Sequence, residues 1–310
     1  MGIKKGFLAA GFIFVAAHVF GQLPVDGVHY PAGVNGIRSG IPGAPGIYLR
    51  DDNWFFAAGA DRSGPSPTRV YVQAPQLMWL TDWKVLGANV GADVMAPLVY
   101  KETDSWVFRA NGYTNTFTKT PHKRFGLGDI KIEPLVLAWH WDQWDVMATY
   151  AVWAPSGHFS VNSADNLGDD EWTHMISLGA VWNLDEEKTW AVSILHHYEI
   201  NSSQIVFAPG IVGPRLAEAD CSTYTLEWAI SKTVFDHTDL GLAGYYQQQF
   251  SYSGDAFNPE KDSDVVGVGP EISVLIPGCG LSASLRYAYE FIAHDRPKGQ
   301  TVDLSLTKKF

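Results

Sequence analysis

Between Leu281 and Phe291 the chain alternates residue by residue. Leu281, Ala283, Leu285, Tyr287, Tyr289 and Phe291 are apolar or aromatic, and Ser282, Ser284, Arg286 and Glu290 stand between them. Side chains alternate across a β-strand with period two, so this stretch folds as a strand with one greasy face and one polar face. The end of the chain repeats the pattern. Val302, Leu304, Leu306 and Phe310 share one face; Thr301, Asp303, Ser305, Thr307 and Lys309 share the other. The last strand of an outer-membrane β-barrel reads this way and stops on an aromatic residue. A soluble edge strand looks similar in isolation, so the other strands and their connections decide.

The same period-two reading gives twelve strands, at 47–61, 68–82, 84–100, 128–141, 143–154, 171–184, 188–201, 220–235, 238–251, 263–276, 280–294 and 299–310. In the eighth, Tyr224, Leu226, Trp228 and Ile230 oppose Thr223, Thr225, Glu227 and Ser231. In the seventh, Trp190, Val192, Ile194 and Tyr198 oppose Ser193, His197 and Glu199. The first two strands alternate poorly. Links from even to odd strands are tight, around Trp83, Asp142, 185–187, 236–237 and 277–279. Links from odd to even strands are mostly long, at 101–127, 155–170, 202–219 and 252–262; two, near 61–67 and Pro297, are short. Short turns at one end and longer loops at the other is the plan of a transmembrane barrel. A soluble β-sandwich has no reason to sort its loops so. The expected fold is all-β: an antiparallel outer-membrane β-barrel of about twelve strands over residues 47–310.

Aromatic placement supports a membrane. Trp139, Trp141 and Trp144 bracket one tight turn, Trp182 and Trp190 another, and Phe235 and Phe310 end strands on the same side. Amphipathic rings settle at the membrane–water boundary, and a packed core would not gather Trp at turns. At the other end of the chain, Lys4 and Lys5 precede an apolar run to Phe20 and then small Gly21, the layout of a signal peptide over 1–21. The formal charge of −11 becomes −13 once Lys4 and Lys5 are removed. An acidic chain without basic clusters argues against a nucleic-acid partner.

Residues 22–46 belong to no strand and are dense in Gly and Pro: Pro31, Gly33, Gly36, Gly40, Pro42, Gly43, Pro45 and Gly46. Such a chain resists helix. It is either a disordered lead-in or a plug, with Tyr30, Val34 and Ile37 to bury. Cys221 and Cys279 fall at opposite ends of the barrel, too far apart for a disulfide, so both are expected unpaired. Adjacent His196 and His197 point to opposite faces, and no Cys/His spacing suits zinc. No cofactor, metal site or catalytic residue is expected. The weak alternative is a barrel hydrolase using His158, Ser160 and Asp165, which fall in one expected loop.

Asp93, Asp129, Lys131, Glu133, Glu199, Glu227, Glu271, Arg286, Glu290 and Asp303 all fall on lumen-side positions of the expected strands. Charge is tolerable there and costly against lipid. As a set they describe a polar, mostly acidic passage, with Glu227, Glu271, Arg286 and Glu290 able to share one network. Eight strands enclose only side chains and sixteen enclose a water channel, so twelve would admit a small molecule.

The stretch Gly126-Leu127-Gly128-Asp129-Ile130, followed by Glu133-Pro134-Leu135 and Trp139, resembles an outer-membrane family known by the meta-pathway of phenol degradation. The Gly/Pro-rich start running into Gly46-Ile47-Tyr48 fits the same family. The resemblance implies a single barrel and a role in uptake of hydrophobic or aromatic compounds, and it supplies no catalytic residues. The expectation is a passive outer-membrane porter for small hydrophobic or aromatic molecules. Its further partners are outer-membrane lipid and the barrel-assembly machinery, through Phe310. The alternatives are a barrel enzyme and a structural or adhesin barrel. Pro134 sits inside a paired strand, where its missing donor predicts a bulge.

Overall fold

The computed structural model describes residues 18–20, 28–39, 43–59, 67–110, 115–160, 163–202, 204–208, 215–253, 263–294 and 296–310. Most of the expected leader, residues 22–27 and several loop tips, 254–262 among them, lie outside these. Twelve antiparallel strands close into one barrel. They are β1 (Gly46–Ala58), β2 (Thr68–Val85), β3 (Ala88–Met95), β4 (Ile130–His140), β5 (Trp144–Ala154) and β6 (Thr173–Asn183). β7 (Trp190–Asn201), β8 (Arg215–Phe235), β9 (Thr238–Ser253), β10 (Asp264–Ile276), β11 (Leu281–His294) and β12 (Gly299–Lys309) complete it. Each strand pairs with its neighbours in sequence, and β12 closes on β1 from Gly299 opposite Ala58 to Lys309 opposite Tyr48.

Two expected loops prove to be strands instead. After β3 the chain kinks at 96–97, runs on as Leu98–Ala110, and returns as Asn115–Leu127 in a paired hairpin. β2 continues beside it, Thr68–Gln73 against Thr103–Leu98. The sequence reading stopped at Tyr100 because Lys101, Glu102 and Asp104 interrupt the apolar face. Beyond the bilayer no face has to be apolar, so a strand there can be polar on both sides. His18–Phe20 pairs with Phe108–Trp106 along the edge of this extension. Likewise Gln204–Ala208 pairs with the start of β8 above the β7–β8 hairpin.

Along β6 and β7, and over Gly299 to Leu306 of β12, burial alternates residue by residue. Most of the exposed residues are greasy, Ile176, Leu178, Ile194 and Leu304 here and Trp228 and Leu285 on β8 and β11. A barrel facing water would hide that set, so its outer surface is the lipid surface and its interior is the polar one. At the turn end Trp83, Trp141, Trp144, Trp182, Phe235 and Phe310 form an exposed aromatic rim, with Trp144 and Trp182 stacked at 5.3 Å and 2°. The expected bulge occurs at Pro134: the β4–β5 register slips between Ile132 and Leu135, turning both Pro134 and Leu135 outward. Cys221 is buried, Cys279 is exposed, and both are free.

β1 and β2 alternate poorly in sequence because both of their faces are mixed: Arg50, Asp52 and Gln76 share the lumen side with apolar residues, and Leu49, Phe55, Leu77 and Trp79 share the outer side with polar ones. Trp54, Phe56, Val70, Val72, Ala74 and Met78 face the lumen. Their neighbours Asp51, Asn53 and Gln73 hold the outer face and hydrogen-bond one another there. One wall of the barrel therefore carries an apolar patch inside, bordered by Arg50, Asp52 and Gln76.

Candidate functional site

The lumen is occupied by residues 28–39, which have no ladder of their own. A backbone without strand partners needs acceptors for its N–H groups when buried. Three glutamates from the wall supply them. Glu199 Oε1 on β7 accepts from the backbone nitrogens of His29 and Tyr30, both at 3.1 Å. Glu227 Oε1 on β8 accepts from Gly33 N at 2.7 Å and from the Tyr30 hydroxyl at 2.7 Å. Glu271 Oε2 on β10 accepts from Ile37 N at 2.8 Å. Carboxylates are the strongest acceptors a protein has, which suits them to hold an irregular chain.

The two ends of the segment are fixed at opposite ends of the barrel. At the loop end the His29 ring donates through Nε2 to Asp129 Oδ2 at 3.0 Å, and its Nδ1 meets Thr173 Oγ1 at 3.0 Å. At the turn end Arg38 pairs with Asp239 at 3.1 Å and donates to the carbonyl of Lys188 at 2.8 Å. Two glycines make the fit possible. Gly33 has φ +80°, and a side chain there would run into the Tyr245 ring. A side chain on Gly36 would overlap Glu271 and Arg286.

All ten charged residues singled out in the sequence are buried inside the barrel. They fall into separate contact networks. Glu199, Glu227, Glu271 and Asp129 hold the segment. Arg286 joins Glu271 at 3.3 Å and Asp303 at 2.7 Å across adjacent strands, and donates to the carbonyl of Val34 at 2.6 Å. Asp303 continues through Ser305 to Asp52 and Arg50. Glu290 stands apart from the expected shared network: it takes the Tyr245 hydroxyl and Gly299 N. Lys131 lies between Asp93 at 3.2 Å and Glu133 at 3.1 Å on the opposite wall.

Asp129 is a junction. Besides His29 it accepts Gly157 N and Asp169 N, each at 2.8 Å, so it ties the segment to the chain around Gly157 and Asp169 beyond β5. Burial works to raise its pKa; the His29 hydrogen bond and the two backbone N–H groups outweigh burial and hold it below the usual carboxylate value. A depressed folded-state pKa contributes stability that is complete above the unfolded value, about 3.9, and is lost as pH falls through the folded one. The loop-end contact is therefore expected to hold unchanged from pH 8 to pH 5 and to loosen only in stronger acid. Hydrogen exchange at Gly157 N and Asp169 N across that range checks it, with Asp129→Asn losing the protection at every pH.

Between the segment and the β1–β5 wall lies a cavity of about 460 Å³. Trp54, Phe56, Val70, Val72, Pro97 and Trp153 line it, and so do Met78, Met95, Met147 and Met175, every methionine of the chain but Met1. Met side chains are flexible and polarisable and suit ligands of varied shape. Lys131, Glu133 and Asp129 give it a polar floor. The sequence reading missed the apolar lining because it assigned greasy residues to lipid; the poor alternation of β1 and β2 was the available signal.

Among the described residues the hydrolase arrangement is not assembled. Asp165 is taken by Ser163 and by Arg124 at 3.2 Å. Among the described residues no hydrogen bond joins His158 to Ser160 or Asp165. The ligand atoms of His29, Asp129 and Asp169 lie within 4.8 Å of one another, but Asp129 already accepts three N–H groups.

Among curated proteins no relative matches this chain. Among solved structures it is similar to the COG4313 outer membrane channel from Pseudomonas putida F1, with a TM-score of 0.66, 14% identity, and coverage of 91% of this chain and 99% of that one. It also aligns, less closely, with the TodX deltaS2S3 mutant monoaromatic hydrocarbon channel, at a TM-score of 0.44 and 8% identity over 86% of this chain and 91% of that one. The first of these likenesses shows the fold, a barrel of the bacterial outer membrane. Residues 52–306 match the family described as "Putative MetA-pathway of phenol degradation", and the chain belongs to that family.

Proposed function

We propose that the barrel is a passive channel for small hydrophobic or aromatic molecules, which cross through the cavity beside residues 28–39. The observation that carries this reading is the apolar patch on the inner face of β1 and β2. An aqueous pore has no use for Val70, Val72 and Met78 on its inner face, and a membrane barrel loses lipid contact by placing them there. Trp54, Phe56 and Trp153 offer flat faces to a ring. The aromatic hydrocarbon named for TodX and the pathway named for the family agree with this chemistry. Residues 28–39 act as a plug that leaves a path for an apolar solute and blocks the bulk of the lumen to ions. Passage needs no energy source: it runs down a gradient kept by consumption inside the cell.

A charge on the inner wall tests this. Val72→Asp in the cavity is expected to cut uptake of a labelled aromatic hydrocarbon roughly tenfold or more, since an unpaired carboxylate must be desolvated as the solute passes, at a cost of at least about 2 kcal/mol. Leu178→Asn on the outer wall of β6 should leave uptake unchanged once surface expression is matched. Equal loss in both would remove the cavity from the pathway.

A further inference from the structure

The loop end of the β1–β2 wall and the hairpin beside it present an ordered outer face. Phe55, Tyr71, Tyr100 and Phe125 stand directly opposite one another across β1, β2, Leu98–Ala110 and Asn115–Leu127. Val302 and Tyr287 carry the row on to β12 and β11. Below it Leu98 pairs with Leu127, both exposed. Two residues nearer the loop end, Ala57, Arg69, Glu102 and Lys123 form the next outward row. Aromatic rings settle at the membrane–water boundary, so the first row marks the outer edge of the hydrocarbon and the charged row lies at headgroup level. Arg69 and Lys123 are 66% and 56% exposed and converge on one oxygen, Glu102 Oε1, at 3.9 and 3.0 Å. Lys298 extends the row beyond β12: its Nζ lies 5.9 Å from the centre of the Tyr289 ring and donates to the Phe291 carbonyl at 2.7 Å. The far wall differs. Tyr150, Ile176, Tyr198 and Tyr224 make its outward row, and from β5 to β10 the described side chains put no Lys or Arg above it.

In a chain of formal charge −11, two cations share one carboxylate on this face and leave it net positive. We infer that the outer face around Arg69 and Lys123 binds the phosphorylated glycolipid of the outer leaflet, with a sugar phosphate between the two cations. The occupant follows from level and charge. The loop end faces the outside, and the lipid there carries phosphates on its sugar headgroup, just above its acyl chains. The face matches that order from top to bottom: cations, then aromatic rings, then Leu98 and Leu127. A phosphate takes charge-assisted hydrogen bonds from Arg and Lys, and the planar Arg fork matches two of its oxygens. Both cations already reach a common oxygen, so one phosphate can span them. Glu102 is the competitor. An exposed bridge of its kind is weak, and a phosphate offers more charge and more acceptors than the carboxylate it displaces.

The test uses the full-length mature protein in mild detergent, titrated with lipid A and read by native mass spectrometry. Lipid A carrying both phosphates is expected to bind at least about tenfold more tightly than dephosphorylated lipid A, the effect of losing charge-assisted hydrogen bonds. Arg69→Gln with Lys123→Gln should lose that preference, and each single change should lose part of it. Lys232→Gln, an exposed cation at the turn end, should keep it. Glu102→Gln should bind lipid A more tightly, because the competing acceptor is gone. All four positions are exposed or at the rim, and heat-modifiable mobility on gels checks that each variant is folded. Equal binding of the two lipid A forms by the intact chain overturns the inference. So does an undiminished preference in the double variant, or weaker binding by Glu102→Gln, which would mean that the carboxylate holds the lipid through a bridging cation. Phosphatidylglycerol or inorganic phosphate displacing lipid A at equal concentration would overturn the assignment to the glycolipid.

Discussion

Removing residues 28–39 is expected to turn a nearly closed barrel into an open one. In a planar bilayer the deleted form should conduct ions several-fold better than the intact chain, with the increase present at every voltage. The reason is geometric. Twelve strands enclose more than side chains can fill, and here the segment takes up the space on the β6–β12 side. Gly36→Leu should do the same by a single change, because a side chain at that position overlaps Glu271 and Arg286, which are themselves locked across β10, β11 and β12. The segment must then leave its seat. The barrel itself should persist in both variants, since every strand keeps its ladder, and the freed glutamates would face water. Heat-modifiable mobility on gels reports that. Conductance unchanged in both variants would place the resistance elsewhere, in the loops.

The second large effect concerns Arg286. It is 4% exposed and lies between Glu271 and Asp303. Breaking a buried ion network by removing its cation leaves uncompensated charge, at a cost of about 3–5 kcal/mol. Arg286→Met is therefore expected to lower the unfolding free energy of the barrel in lipid vesicles, read from urea titration, by that much. It should also loosen the segment, because Arg286 holds the Val34 carbonyl and steadies the carboxylate that binds Ile37 N. Adding Glu271→Gln and Asp303→Asn should recover most of the loss, since the charges left behind, and not the missing contact, carry the penalty. A loss below about 1 kcal/mol in the single variant would mean that water already solvates the three groups.

The barrel was legible because period two is a strong signal wherever one face meets lipid and the other meets water. β6 to β12 obey it, and their strands and closure onto β1 follow from the sequence. It fails where those conditions fail. Above the bilayer, Leu98–Ala110 and Asn115–Leu127 read as loop because neither face has to be greasy. In β1 and β2 apolar and polar residues occur on both faces, Trp54, Val70 and Val72 inside with Arg50 and Asp52, Leu49 and Leu77 outside with Asp51 and Asn53, so alternation on its own gives no side. The lumen position of residues such as Glu199 and Glu227 was legible, but their partners were not. A carboxylate that binds a backbone N–H about 170 or 194 residues away has no local signature. The grip on residues 28–39 exists only in three dimensions. Gly33 and Gly36 were visible as turn formers; their real service is to let the chain approach Tyr245, Glu271 and Arg286 closely.

The central claim is that apolar molecules enter through this lumen. Expression in a host bacterium whose outer membrane lacks such a channel, with an internal enzyme that consumes the solute, makes entry rate-limiting. Initial uptake of a labelled monoaromatic compound would then be measured for the intact chain, for Val72→Asp and for an empty vector. The account predicts a clear gain with the intact chain, falling to the empty-vector rate with Val72→Asp at equal surface expression. Uptake by the intact chain no faster than the empty vector, or uptake indifferent to the charge at position 72, would contradict it.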